Sequence, residues 1–175
     1  VRKAMGIRTL FNILGPLVNP AKPSTMLLGV YTPTLIPVLA QSLMLTGVNR
    51  AWVVHGSGLD EIALHGETTV TEINGDSTFE RTISPEDFGL SRYSLEDIKG
   101  GTPEENGNII KAILAGKGEP AHNAAVIINC AALLYLHDKA SSLKAAAQHA
   151  AEVLASGKGL RTLELMATLS NEGAN

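Results

Sequence analysis

Cysteine is nearly absent from this chain: Cys130 is the only one in 175 residues. A lone thiol excludes a disulfide framework or a cysteine metal cluster within one chain, and it fits a reducing compartment. Long apolar runs are missing too. No stretch of about 18 apolar residues offers a membrane-spanning helix. The first residues, with Arg2, Lys3 and Arg8, lack the short apolar core of a secretion signal, so a cytoplasmic protein is expected. Nor is there an excess of cations. With 14 Lys and Arg against 17 Asp and Glu, the formal net charge is −3, which gives a nucleic-acid backbone or an anionic membrane nothing to be drawn to. Internal repeats and low-complexity segments are absent as well.

What is present is an ordinary α/β composition. Hydrophobic residues make up 45% and charged residues 18%, with 17 glycines, enough for one domain with a full core. Val1 to Gly6 has the pattern of a last helical turn, with cations near its end and glycine after it, and a piece of a longer chain is expected. Ile7, Leu10, Phe11 and Leu14 then share one helical face, and Arg8 and Asn12 another. That helix is predicted to stop at Gly15-Pro16. Leu17 to Pro23 follows as an extended, proline-stiffened loop. Arg8 is suited to grip a small carboxylate in a bidentate fork, the competing reading being that it pairs with a structural acid or a helix end.

Residues 26 to 30 and 49 to 55 are predicted strands around a helix at 35 to 45, the spacing of a right-handed parallel crossover. Short strands are expected at 62 to 65, 69 to 73 and 79 to 83, the last two joined through Asn74-Gly75 as a hairpin. The remainder is helical: 103 to 114, 120 to 136, 141 to 155 and 159 to 169. Lys99-Gly100-Gly101-Thr102 is not a phosphate loop, because Glu104 and Glu105 occupy the helix start that an anion would need. Asn129 is expected to be a buried structural hydrogen-bonder. His122, His137 and His149 share no face and are expected on the surface or in packing.

The chain is organised around Val53-Val54-His55-Gly56-Ser57-Gly58-Leu59-Asp60-Glu61. A buried strand delivers a Gly-rich bend and then two adjacent carboxylates, just where ligands of α/β proteins collect. Side by side, Asp60 and Glu61 repel each other unless a cation stands with them. Magnesium suits such a pair, since it takes hard oxygen ligands and leaves its other positions to water and phosphate. The competing reading is a solvated acidic turn.

Arg8 to Pro20, with Arg8-Thr9-Leu10-Phe11-Asn12 and Gly15-Pro16-Leu17-Val18-Asn19-Pro20, together with Leu28-Gly29-Val30, His55-Gly56 and Gly58-Leu59-Asp60-Glu61, resembles the anthranilate phosphoribosyltransferase family. The likeness continues through Pro85 to Leu90, Gly100-Gly101, Glu105-Asn106 and Asn129-Cys130-Ala131-Ala132, in order along essentially the whole chain. It implies transfer of the phosphoribosyl group of phosphoribosyl pyrophosphate to anthranilate, with release of pyrophosphate, in tryptophan biosynthesis. The implied cofactor is Mg2+. The implied fold is the large α/β domain of the nucleoside phosphorylase and phosphoribosyltransferase type, a sheet flanked by helices. Residues 1–175 would be the C-terminal portion of that catalytic domain, with the family's N-terminal helical domain missing. The Gly-Thr-Gly-Gly-Asp and Lys-His-Gly-Asn segments that grip phosphoribosyl pyrophosphate in the family also have no counterpart, so this chain alone is expected to be inactive.

Residue by residue, the resemblance gives Arg8 to the anthranilate carboxylate, Asn19 and Pro20 to the wall of the anthranilate channel, and Asp60 and Glu61 to the metal. It gives no residue a role as catalytic base. Many family members have one more residue than Ser57 between the two glycines of the turn. The implied partners are a second copy, as a homodimer, and in some members an amidotransferase or anthranilate synthase component. A pyrimidine nucleoside phosphorylase shares the architecture but matches Arg8 to Pro20 less well. A non-catalytic nucleic-acid-binding paralogue would want a basic surface that this chain lacks.

Overall fold

The computed structural model describes Gly15 and residues 17 to 172. Arg8 and its helix therefore lie outside the described residues. Four strands make one sheet in sequence order: β1 (Thr25–Gly29), β2 (Arg50–His55), β3 (Thr68–Asn74) and β4 (Ser77–Ile83). β1 and β2 are parallel and joined by α1 (Ile36–Leu45), which a short 3-10 turn at Pro33–Leu35 introduces. The two later junctions are antiparallel. The sheet is thus mixed, as one crossover followed by a hairpin must be.

β2 shows why the centre of the sheet reads as an unbroken apolar run. Its side chains alternate between faces, and both faces are covered. Ala51 and Val53 face one core with Leu39 and Leu43 of α1, whereas Trp52 and Val54 face the other. That second core is built with α3 (Pro120–Leu136) and α4 (Leu143–Ala155). The small residues of α3, Ala124, Ala131 and Ala132, are buried there and let the helix lie close on the sheet. Outside these layers, α2 (Pro103–Leu114) and α5 (Lys158–Glu172) pack together, α5 also touching α4.

Local signals account for most of the boundaries. Thr102 Oγ1 accepts the Glu105 N–H and the Glu105 carboxylate accepts the Thr102 N–H, so α2 begins with the capping box expected of it. Ser142 caps α4 in the same position, accepting the Ala145 N–H. In the β3–β4 hairpin Asn74 pairs with Ser77, which makes Gly75-Asp76 the two-residue loop. Asn74 is therefore the last strand residue rather than part of the loop. Gly75 takes φ +59 at the first loop position, as in a type II′ turn.

The stretch before β1 differs from its expectation. Gly15 and Leu17 are both helical, and the chain then turns instead of extending. Asn19 drives this: its Oδ1 accepts the Ala21 N–H at 3.0 Å, and its carbonyl accepts the Lys22 N–H at 3.0 Å. An asparagine side chain that mimics the backbone in this way outweighs the straightening tendency of two nearby prolines.

Candidate active site

The C-terminal ends of β1 and β2 lie side by side, and the site is built just past them. After His55, Gly56 and Leu59 exchange two backbone hydrogen bonds, of 2.9 and 3.0 Å. Ser57 and Gly58 close the loop with φ of +48° and +101°, the pair of positive values that a type I′ turn requires. Only the second of these is a glycine. The Ser57 hydroxyl helps hold its own strained position by donating to the Glu67 carbonyl at 2.7 Å.

Two histidines bracket this turn. His55 Nδ1 is 2.8 Å from the Val30 carbonyl oxygen, and its Nε2 is 3.2 Å from the Gly58 nitrogen. A carbonyl can only accept and a backbone N–H can only donate, so the proton of His55 sits on Nδ1. On the other side, His65 Nε2 donates to the Ser57 carbonyl at 3.0 Å. The turn is tied to the end of β1 by one ring and to the following segment by the other.

Missing side chains matter as much here. A Cβ on Gly29 would stand 1.5 Å from the Asp60 carbonyl oxygen, and one on Gly56 would stand 2.2 Å from that of Glu61. The backbone of the acidic pair is therefore seated directly on the ends of β1 and β2. Beyond it, Ile62, Ala63 and Leu64 run buried through the core. They do not form the short strand expected of them. Their backbone groups bond to side chains and a loop instead: Ile62 N–H to Asn129 Oδ1 at 3.2 Å, Ala63 N–H to Thr68 Oγ1 at 2.9 Å, and the Leu64 carbonyl to Tyr93 N–H at 3.1 Å.

Asp60 and Glu61 are exposed and border two cavities. One of about 240 Å³ is shared with Leu27, Gly29, Val54 and Asn129. The other, of about 320 Å³, reaches under α2 and α3 to Ile113 and His122. His122 was expected in packing or on the surface; its Nε2 is buried without a hydrogen-bond partner and it lines the acid pair's second cavity. Sequence spacing could not reveal this, because α3 meets the turn only through the fold. Glu61 titrates above its ordinary value, first because burial disfavours its charge and second because Asp60 repels it.

These features fit a hard divalent cation. Among the described residues no group of three or more His, Cys, Asp or Glu could hold an ion by itself. Two neighbouring carboxylates, one of them resisting ionisation, suit an ion that completes its shell with water and substrate oxygens. Asn19 and Pro20 are elsewhere. They line a cavity of about 340 Å³ with Met26 and Val48, at the opposite, N-terminal ends of β1 and β2. The structure thus brings Asp60, Glu61, Asn129 and His122 together and leaves Asn19 and Pro20 apart from them. A larger cavity, about 560 Å³ between α3, α4 and α5, is walled by residues such as Leu133 and Val153 and includes neither acid.

Comparison with known proteins shows the family and the fold. The family model described as "Glycosyl transferase family, a/b domain" matches residues 1–160. Over 172 residues the chain is 73% identical to the anthranilate phosphoribosyltransferase of Colwellia psychrerythraea, covering 98% of this chain and 47% of that protein. It is 54% identical to the one of Pseudoalteromonas translucida, covering 98% and 48%. Among solved structures, anthranilate phosphoribosyltransferase from Thermus thermophilus superposes with a TM-score of 0.82 at 40% identity, over 93% of this chain and 48% of that one. The Saccharomyces cerevisiae enzyme in complex with PRPP and Mg gives 0.80 at 35% identity, over 93% and 47%. The chain spans about half the length of the curated relatives it matches, and these named relatives favour neither a nucleoside phosphorylase nor a nucleic-acid-binding protein.

Proposed function

The chain belongs to the glycosyl transferase family by its a/b domain, and from that premise we propose that it supplies the C-terminal portion of the catalytic domain of an anthranilate phosphoribosyltransferase. The reaction joins the anthranilate nitrogen to C1 of the ribose of phosphoribosyl pyrophosphate. The bond from C1 to the pyrophosphate oxygen breaks, and pyrophosphate leaves with that electron pair. The observation that carries this reading is the seated acid pair, Asp60 and Glu61, at the ends of two parallel strands with Gly29 beneath the Asp60 peptide.

Asp60 and Glu61 would hold magnesium through their carboxylates. When bound, the ion would offset the charge that builds on the departing pyrophosphate. The remaining work falls to groups that fix geometry. Arg8 is assigned the anthranilate carboxylate, so that the amine is presented to C1 in one orientation, whereas Asn19 and Pro20, at the opposite ends of β1 and β2, are given no part in that channel. No residue is assigned as a general base, since an aromatic amine can attack neutral and lose its proton after the new bond forms. We further assign the whole protein to the cytoplasm as a homodimer, with an amidotransferase or anthranilate synthase component as a candidate partner.

The test is the loss of anthranilate fluorescence on adding phosphoribosyl pyrophosphate and Mg2+. It is run on this chain alone and on the chain joined to the remaining half of the Colwellia psychrerythraea relative. Turnover is expected only in the joined protein. There, Asp60→Ala should lower it by orders of magnitude, and Arg8→Ala should chiefly raise KM for anthranilate. A folded joined protein without turnover, or an Asp60→Ala variant that keeps both activity and magnesium dependence, overturns the reading.

A further inference from the structure

α3 is apolar nearly all round, and the half-buried Asn129 is one of its few polar side chains. Both N–H groups of the carboxamide and its oxygen are engaged. Its Oδ1 accepts the Ile62 N–H at 3.2 Å, and its Nδ2 donates to the Ala125 carbonyl at 3.0 Å and to Glu61 Oε2 at 3.3 Å. The partners fix which way the amide faces: an N–H can only donate to the oxygen, and a carbonyl and a carboxylate can only accept from the nitrogen. No flipped arrangement satisfies all three.

One side chain therefore acts on both sides of Glu61, holding one oxygen of its carboxylate and the peptide that follows it. Glu61 Oε1 has no protein hydrogen-bond partner among the described residues. Asn129 also lines the same small cavity as Asp60, Glu61 and Gly29. Resting on the metal reading given above, we propose that Asn129 is a positioning residue of the cation site, orienting Glu61 so that its free oxygen and the Asp60 carboxylate face one ion. Groups that orient metal ligands in this manner act on affinity, whereas a helix hydrogen bond alone acts on stability.

Two controls separate those roles. Asn129→Ser keeps a hydroxyl that can bond back to Ala125 but cannot reach Glu61. Asn123→Ser, on the same helix, removes a 2.8 Å bond to the Gly118 carbonyl that has no link to the acids. Mn2+ binding, followed by paramagnetic resonance of the free ion in the joined protein, should weaken about tenfold in Asn129→Ser and stay unchanged in Asn123→Ser. Binding within twofold of the parent in Asn129→Ser, while Asp60→Ala loses it, overturns the proposal and leaves the metal reading standing. If Asp60→Ala also binds normally, both fall. Should Asn129→Ser not fold, the parent decides: on saturation with Mg2+ the side-chain amide resonances of Asn129 should shift together with the backbone amides of Asp60 and Glu61. Asn129 resonances that stay still while the acids shift overturn the assignment.

Discussion

Gly29 has no atom to place between β1 and the Asp60 peptide, and Gly29→Ala would put one 1.5 Å from the Asp60 carbonyl oxygen. Backbone must give way on one side or the other. We expect a loss of about 1–3 kcal/mol in urea melts, the usual cost of overpacking a closed site, together with weaker Mn2+ binding. An unchanged melt would mean that Asp60 is not seated on β1. Glu61 couples stability to pH. Its raised titration means that, just above the ordinary carboxylate range, the folded chain binds more protons than the unfolded one. Stability then falls as pH rises through that window and stays lower above it. In chelator, Glu61→Gln should melt above the parent at pH 7 and together with it near pH 3, where both side chains are neutral. A parent that melts higher at pH 7 would assign Glu61 a cationic partner in the metal-free state.

The elements were legible to different degrees, for physical reasons. β1, α1 and β2 follow from period and punctuation alone, α2 begins and ends where its capping box and Gly116 put it, and α3 begins at Pro120. Residues 62 to 65 did not, because apolar composition says that a segment is buried and not what its backbone bonds to. The answer lay in Thr68 and in Asn129, the latter far along the chain on α3. The same gap hid the link from Asn129 to Glu61 and the place of His122, whereas the acid pair itself was visible from two adjacent letters after a Gly-rich turn. Because α3 governs so much of the site, its fit on the sheet can be tested directly. Ala132 is fully buried against β2 and its neighbours. Ala132→Leu should cost about 1–3 kcal/mol in urea melts and weaken cation binding through the displaced Asn129. A destabilised variant with unchanged Mn2+ affinity would show that the helix can shift without carrying the acids along.

Across the whole molecule, burial is unevenly shared. β2 and the segment after the acid pair are shut into the core, while no described residue of α5 is buried. Hydrogen exchange turns this into an order of events, because amides open locally where little apolar surface closes over them. Those of α5 should exchange first, and those of Val54, Ile62 and Ala63 only when the entire domain unfolds. Equal rates would mean that the sheet and the outer helix open as one unit. The seating of Asp60 on Gly29 then acquires a temporal meaning: the cation site belongs to the last part of the protein to come apart, so fraying or clipping of the final helix would leave it assembled.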